Sequence, residues 1–201
     1  AKFLLNEILR VDKNHEDALR YLGVVAALQK DWKQALKWID QVLGLNSQNG
    51  VAHSNRGNIL CELGRIEEAL VSYEKAITLE PLYVEAHNNK GNTFQRLGKF
   101  AEAINCYEQA IALKPNYADA FVNKGNALQN LGHYQDALKA YEKAVEVDQN
   151  CAHAFYGVAR LFLIRKQYNN ALGCCEKALK INPNYEDALS LKGQILFELK
   201  D

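Results

Sequence analysis

A glycine returns in this chain at a fixed interval of 34 residues, and a phrase returns with it: Leu22-Gly23, Asn55-Arg56-Gly57-Asn58, Asn89-Lys90-Gly91-Asn92 and Asn123-Lys124-Gly125-Asn126. A period of roughly that length marks a stack of helical hairpins, each too small to bury its apolar face alone and completed by its neighbours. Function in such a stack belongs to a surface shared by several units. The pattern therefore argues against a single catalytic pocket.

Other columns keep the same register. Gly23, Gly57, Gly91, Gly125 and Gly193 share one small column, with Ala159 in the remaining place, and Ala35, Ala69, Ala103, Ala137 and Ala171 fill a second. Small residues recur where helices touch closely, and large ones fill the space beside them. The bulky columns are Trp32, Ile66, Phe100, Tyr134 and Tyr168, then Ile39, Tyr73, Tyr107, Tyr141 and Cys175. Ala76, Ala110, Ala144 and Ala178 follow, and Pro81, Pro115 and Pro183 close units where a helix must stop, with Gln149 the missing proline. Gly64, Gly98 and Gly132 mark the turn inside a hairpin. Lys30-Asp31 and Lys166-Gln167 stand in that place in two units, whose turns are expected to differ slightly.

At these residues the chain resembles the tetratricopeptide repeat family, whose unit is a pair of antiparallel helices with glycine, alanine, aromatic, alanine and proline in this order and spacing. The resemblance covers the whole chain and implies an all-α fold, a right-handed α-solenoid of stacked antiparallel helix pairs. It divides the sequence into a half unit at 1–15, full units at 16–49, 50–83, 84–117, 118–151 and 152–185, and a half unit at 186–201. Neither half unit reads as a polar cap. The chain is accordingly expected to be a fragment of a larger protein, with self-association through Phe3, Leu4, Phe197 and Leu199 open to the isolated piece.

Composition narrows the partners. With 24 acidic and 24 basic side chains interspersed, there is no basic half or charged tail, and nucleic acid is a poor partner. No apolar run approaches the roughly 18 residues of a membrane span, so no membrane insertion is expected and a cytoplasmic location is. His15, His53, His87, His133 and His153 form no metal-ligand pair, and Cys61, Cys106, Cys151, Cys174 and Cys175 lack Cys-x2-Cys spacing. His53 and His87 share a column one unit apart and read as packed against a neighbouring helix. Every glycine is accounted for by packing or a turn, which leaves no phosphate loop. No cofactor and no enzymatic activity are expected.

The asparagines carry the functional reading. The resemblance implies that one face of each first helix lines the concave side of a superhelix. That face holds Asn55 and Asn58, then Asn88, Asn89, Asn92, Gln95 and Arg96, then Asn123, Asn126, Gln129 and Asn130. An amide offers donors and an acceptor that suit the N–H and C=O groups of an extended peptide, although the same amides can instead bond between helices. Apolar flanks are Tyr21, Val24 and Leu28 at one end and Tyr156, Leu163 and Phe197 at the other. The expected function is a non-catalytic protein-interaction scaffold binding an extended peptide segment.

The ladder is also similar to the asparagine-lined arm of O-linked N-acetylglucosamine transferases. Asn55, Asn89 and Asn123 match its column and Tyr21 and Gly157 break it, so a substrate-presenting arm of a larger enzyme such as a glycosyltransferase is the alternative. Family members that hold chaperone C-terminal tails need cations that this chain replaces with Ser54, Asp119 and Asn123, or with Asn88, His153 and Gly157. Chaperone tails are therefore disfavoured. Arg56, Lys90, Lys124 and Lys192 form a basic column that is expected to lay its stems between helices and meet solvent or repeated acids such as Glu74, Glu108, Glu142 or Glu176.

Overall fold

The computed structural model describes residues 2–200, and among them the chain is entirely helical. Twelve helices follow one another: α1 (Lys2–Val11), α2 (Glu16–Leu28), α3 (Trp32–Leu45), α4 (Gly50–Glu62), α5 (Ile66–Leu79), α6 (Val84–Arg96), α7 (Phe100–Leu113), α8 (Ala118–Asn130), α9 (Tyr134–Val147), α10 (Ala152–Ile164), α11 (Tyr168–Ile181) and α12 (Glu186–Glu198). They form two compact units, Ala1–Thr93 and Phe94–Asp201. In the first, α2 pairs with α3 and α4 with α5; in the second, α8 pairs with α9 and α10 with α11. This is the all-α helical-repeat solenoid architecture.

Why the hairpins close is visible at the small columns. Ala35, Ala69, Ala103, Ala137 and Ala171 are fully buried, as are Ala76, Ala110, Ala144 and Ala178. Beside them lie Ile39, Tyr73, Tyr107, Tyr141 and Cys175, all at most 2% exposed. Glycine is required where these rings press on a helix. A Cβ at Gly57 would sit 2.6 Å from Tyr73 Cε1, and one at Gly125 would sit 2.6 Å from Tyr141 Cε1. The other bulky column is less deep: Trp32, Ile66, Phe100 and Tyr168 are half-buried and Tyr134 is exposed, because they sit at the rim of the hairpin turn.

The turns correct one expectation. Gly64, Gly98 and Gly132 take φ of +74°, +72° and +79°, and Lys30 and Lys166 take the same left-handed conformation at +59° and +56°. The closing hydrogen bonds are also alike: Asp31 N to Ala26 O, Arg65 N to Leu60 O, Lys99 N to Phe94 O, His133 N to Leu128 O and Gln167 N to Phe162 O all measure 2.9 Å. Packing of the two helices dictates the turn, and the lysines bear the strain. A left-handed residue with a Cβ costs about 1–2 kcal/mol, partly offset by the smaller chain entropy lost relative to glycine. Lys30→Gly and Lys166→Gly are each expected to stabilise by about 0.5–1 kcal/mol, read as a higher denaturation midpoint, with no change if the turn is unstrained.

The stop signals between units are of two kinds. Pro81, Pro115 and Pro183 follow Glu80, Lys114 and Asn182, whose extended backbone ends a helix. At Gln149, where proline is missing, a side-chain turn holds the loop, Asn150 N donating to Asp148 Oδ1 at 2.9 Å, as Asn184 N donates to Asn182 Oδ1 at 3.2 Å around Pro183. Gln48 N donates to Asn46 Oδ1 at 3.1 Å in the same way.

Candidate peptide-binding faces

In the first unit the amides are tied down by a buried phenol. Tyr73 is held against Gly57, and its hydroxyl donates to Asn58 Oδ1 at 2.7 Å. Asn89 Nδ2 donates to the same oxygen at 3.1 Å. With its oxygen doubly engaged, Asn58 keeps its amino group clear of protein acceptors among the described residues. Asn55, half-buried one turn earlier, makes no side-chain hydrogen bond to any described residue. Asn92 is half-buried on the following helix. Below them Thr93 Oγ1 and Cys61 Sγ lie 3.2 Å apart in the interior.

The second unit repeats the device. Burial pushes the Tyr141 phenol well above its ordinary pKa, so it remains a proton donor. Its hydroxyl reaches Asn126 Oδ1 at 2.8 Å and Gln129 Oε1 at 3.0 Å, one proton facing two acceptors. Tyr107, raised for the same reason, donates to Gln95 Oε1 at 3.2 Å. Asn130, exposed at the end of α8, donates from Nδ2 to Asn126 O at 2.8 Å. Asn123 is half-buried and Arg96 exposed.

Two residues expected on the amide surface are not there. Asn88 is 4% exposed and Gln129 is 7% exposed. Each lies on the side of its helix that turns inward, and Gln129 serves the Tyr141 phenol instead of solvent. Among the apolar flanks, Tyr21, Leu28 and Phe197 are exposed and Val24 is half-buried. Tyr156 and Leu163 pack on the cluster of Ala159, Ala171, Cys175, Leu191 and Ile195, so they belong to the edge of the core as much as to a surface.

The basic column settles as ion pairs. Lys90 meets Glu74 at 3.2 Å, Lys124 meets Glu108 at 2.7 Å, and Lys192 meets Glu176 at 3.0 Å. Arg56 pairs with Asp40 at 2.8 Å, an acid of the same column that reading glutamates alone overlooked, and also donates to Ser72 Oγ at 2.9 Å. Their carboxylates are half exposed, so each pair contributes little, on the order of 0–1 kcal/mol. The histidine column bonds rather than merely packs: His53 Nε2 lies 3.1 Å from Ser47 O and His87 Nε2 3.0 Å from Pro81 O, fixing the loop that precedes each helix. Four of the five thiols are buried, with burial pushing Cys175 up to about 11, which disfavours a reactive thiolate. Among the described residues no cluster of metal-ligating side chains occurs, and no helix is long and apolar enough to cross a membrane.

Repeated hairpins with this column structure define a helical-repeat protein. Family models agree: those described as TPR repeat or tetratricopeptide repeat match residues 4–50, 57–98, 91–132, 118–151 and 152–185. The chain belongs to the tetratricopeptide repeat family. It is 32% identical over 76 residues to a TPR repeat-containing protein of Methanocaldococcus jannaschii, covering 38% of this chain and 13% of that protein's length. Among solved structures it is similar to PilW, a widely conserved type IV pilus biogenesis factor, with a TM-score of 0.82 at 24% identity over 92% of this chain and 86% of that one. It is also similar to YrrB, a TPR protein with an unusual peptide-binding site, with a TM-score of 0.69 at 23% identity over 96% of this chain and 100% of that one. The repeats support a protein-interaction scaffold.

Proposed function

We propose that the amide-bearing first-helix faces of this scaffold hold extended segments of a protein partner by their backbone. The observation that carries the reading is the clamp beneath the amides. Tyr73 and Tyr141 engage the oxygens of Asn58 and Asn126, which fixes both side chains and leaves their amino groups without a protein acceptor among the described residues. Donors held in place and free of partners suit the carbonyls of an extended chain, and recognition of backbone groups makes little demand on sequence. Ordering these side chains in advance lowers the entropy lost on binding. Within the first unit Asn55, Asn58, Asn89 and Asn92 would make the contacts; within the second, Asn123, Asn126 and Asn130 would, with Gln95 and Arg96 beside them.

Asn55 gives the cleanest test because it braces nothing. Asn55→Ala should leave thermal melting unchanged and weaken retention of short peptides of unrelated sequence on a cellulose array, by about 0.5–1.5 kcal/mol for one neutral hydrogen bond. Asn58→Ala should do both harms, since it also deprives the Tyr73 hydroxyl of its acceptor at 2.7 Å. If a folded Asn55→Ala/Asn89→Ala/Asn123→Ala variant retains peptides as the wild type does, the amide faces are not the binding site.

A further inference from the structure

Nearly every first-helix cation described above has a carboxylate of its own, and Arg20 likewise holds Asp17 at 3.0 Å. Arg160 on α10 does not. It is half-buried, forms no ion pair among the described residues, and stands over the Tyr156 ring at 5.8 Å from the centroid. Its charge acts on the Tyr141, Tyr156 and Tyr185 phenols together, in each case favouring the ionised form against the burial that raises it. One guanidinium therefore lies within electrostatic reach of three hydroxyl groups.

The surroundings decide what such a cation can receive. Tyr156 and Tyr185 meet at 5.2 Å with planes tilted by 54°, and His153 meets Tyr185 at 5.0 Å with the same tilt. The rings fill the space between one another, so they do not form an open box for a cation, and Arg160 would repel one. Burial holds the Tyr185 phenol up at about 12 and raises Tyr156 as well, so both stay protonated donors at neutral pH. Neither hydroxyl donates to any described residue. Gly157, three residues before Arg160, occupies the column that holds Asn89 and Asn123 elsewhere, so α10 presents no amide at that place. A half-buried cation with neutral phenol donors around it and no counter-ion is suited to a carboxylate, for which guanidinium geometry is matched.

We propose that the α10 face, through Arg160 with Tyr156 and Tyr185, binds the carboxylate of an acidic side chain in the held segment. This rests on the backbone-grip reading above and adds a sequence preference to it. Asp187, exposed in the first turn of α12, acts on Tyr156 and Tyr185 with the opposite sign and tempers the site. Its removal should strengthen carboxylate binding.

The test uses the full chain on an array of short, end-blocked peptides synthesised in pairs that differ only by Glu or Gln at one position. Wild type is expected to retain the Glu members roughly 3-fold to 10-fold more strongly, the range for a charged hydrogen bond partly screened by water. Arg160→Gln should erase that ratio and leave the Gln members as they were; Arg160→Lys should keep part of it; Asp187→Asn should widen it. Equal retention of the pairs by wild type, or a ratio that survives Arg160→Gln, overturns the carboxylate site and leaves the backbone grip standing. If no peptide is retained by wild type, both readings fall. Circular dichroism melting establishes that the variants fold. Should Arg160→Gln not fold, Asp187→Asn decides, and an unchanged Glu-to-Gln ratio overturns the proposal.

Discussion

Gly157→Ala should destabilise the second unit by about 2 kcal/mol or more, against the direction that helix propensity alone would give. In an open helix this exchange gains up to about 1 kcal/mol, because alanine loses less backbone entropy. Here a Cβ would lie 2.5 Å from both Cε1 and Cζ of Tyr141. The ring cannot retreat: it is fully buried, and Gly125 on α8 presses on the same edge closely enough that its own Cβ would be 2.6 Å away. Overpacking of a rigid aromatic ring held from two helices costs typically 1–3 kcal/mol and on occasion more, which exceeds the propensity gain. Gly173 in α11 is the matched control, since nothing lies within 4 Å of its Cβ position, and Gly173→Ala should gain about 0.5–1 kcal/mol. Coupling in a repeat array is nearest-neighbour. Hydrogen exchange should therefore report the Gly157→Ala loss over α8, α9 and α10, with the midpoint of denaturation moving to match. A Gly157→Ala variant that melts at or above the wild type would mean that the ring is not wedged between these helices.

The fold was legible because its determinants repeat. A glycine opposite a tyrosine is ambiguous once, but Gly57 with Tyr73 and Gly125 with Tyr141 state the same close approach twice, and the buried alanines state it five times. What the sequence hid were matters of direction and partnership. Asn88 and Asn89 are neighbours in the chain, yet successive helical positions are about 100° apart, so one is buried and the other reaches Asn58. Gln129 reads as a surface amide beside Asn126 and Asn130, while the phenol that draws it inward lies on α9, 12 residues on. The lysines at 30 and 166 read as a different turn because they stand where glycine does elsewhere, whereas helix packing imposes the same backbone on both. Arg160 stands in the column of Asn58, Asn92 and Asn126 and breaks its amide pattern, but its lack of a counter-ion is a matter of three-dimensional partnership that the column does not reveal.

Tyr141→Ala should be the most damaging substitution in the second unit, at about 3–5 kcal/mol, the range for removing a large buried aromatic side chain. The informative variant is Tyr141→Phe, which keeps the ring between its two glycines and removes only the hydroxyl. Asn126 is half-buried and can turn its oxygen to water, so its loss is modest. Gln129 cannot, being 7% exposed, and its Oε1 would be left without its donor at 3.0 Å. A stranded buried acceptor costs about 1–3 kcal/mol, whereas removing both partners can be nearly neutral. Tyr141→Phe/Gln129→Met should therefore recover most of the stability lost in Tyr141→Phe, and the cycle of single and double variants isolates the coupling. The rescued double variant then separates packing from recognition. It restores the core but not the phenol that fixes Asn126, so peptide retention by the second unit should stay weakened while melting returns. Recovery of both would show that the buried hydroxyl serves the fold alone and that Asn126 needs no clamp to act.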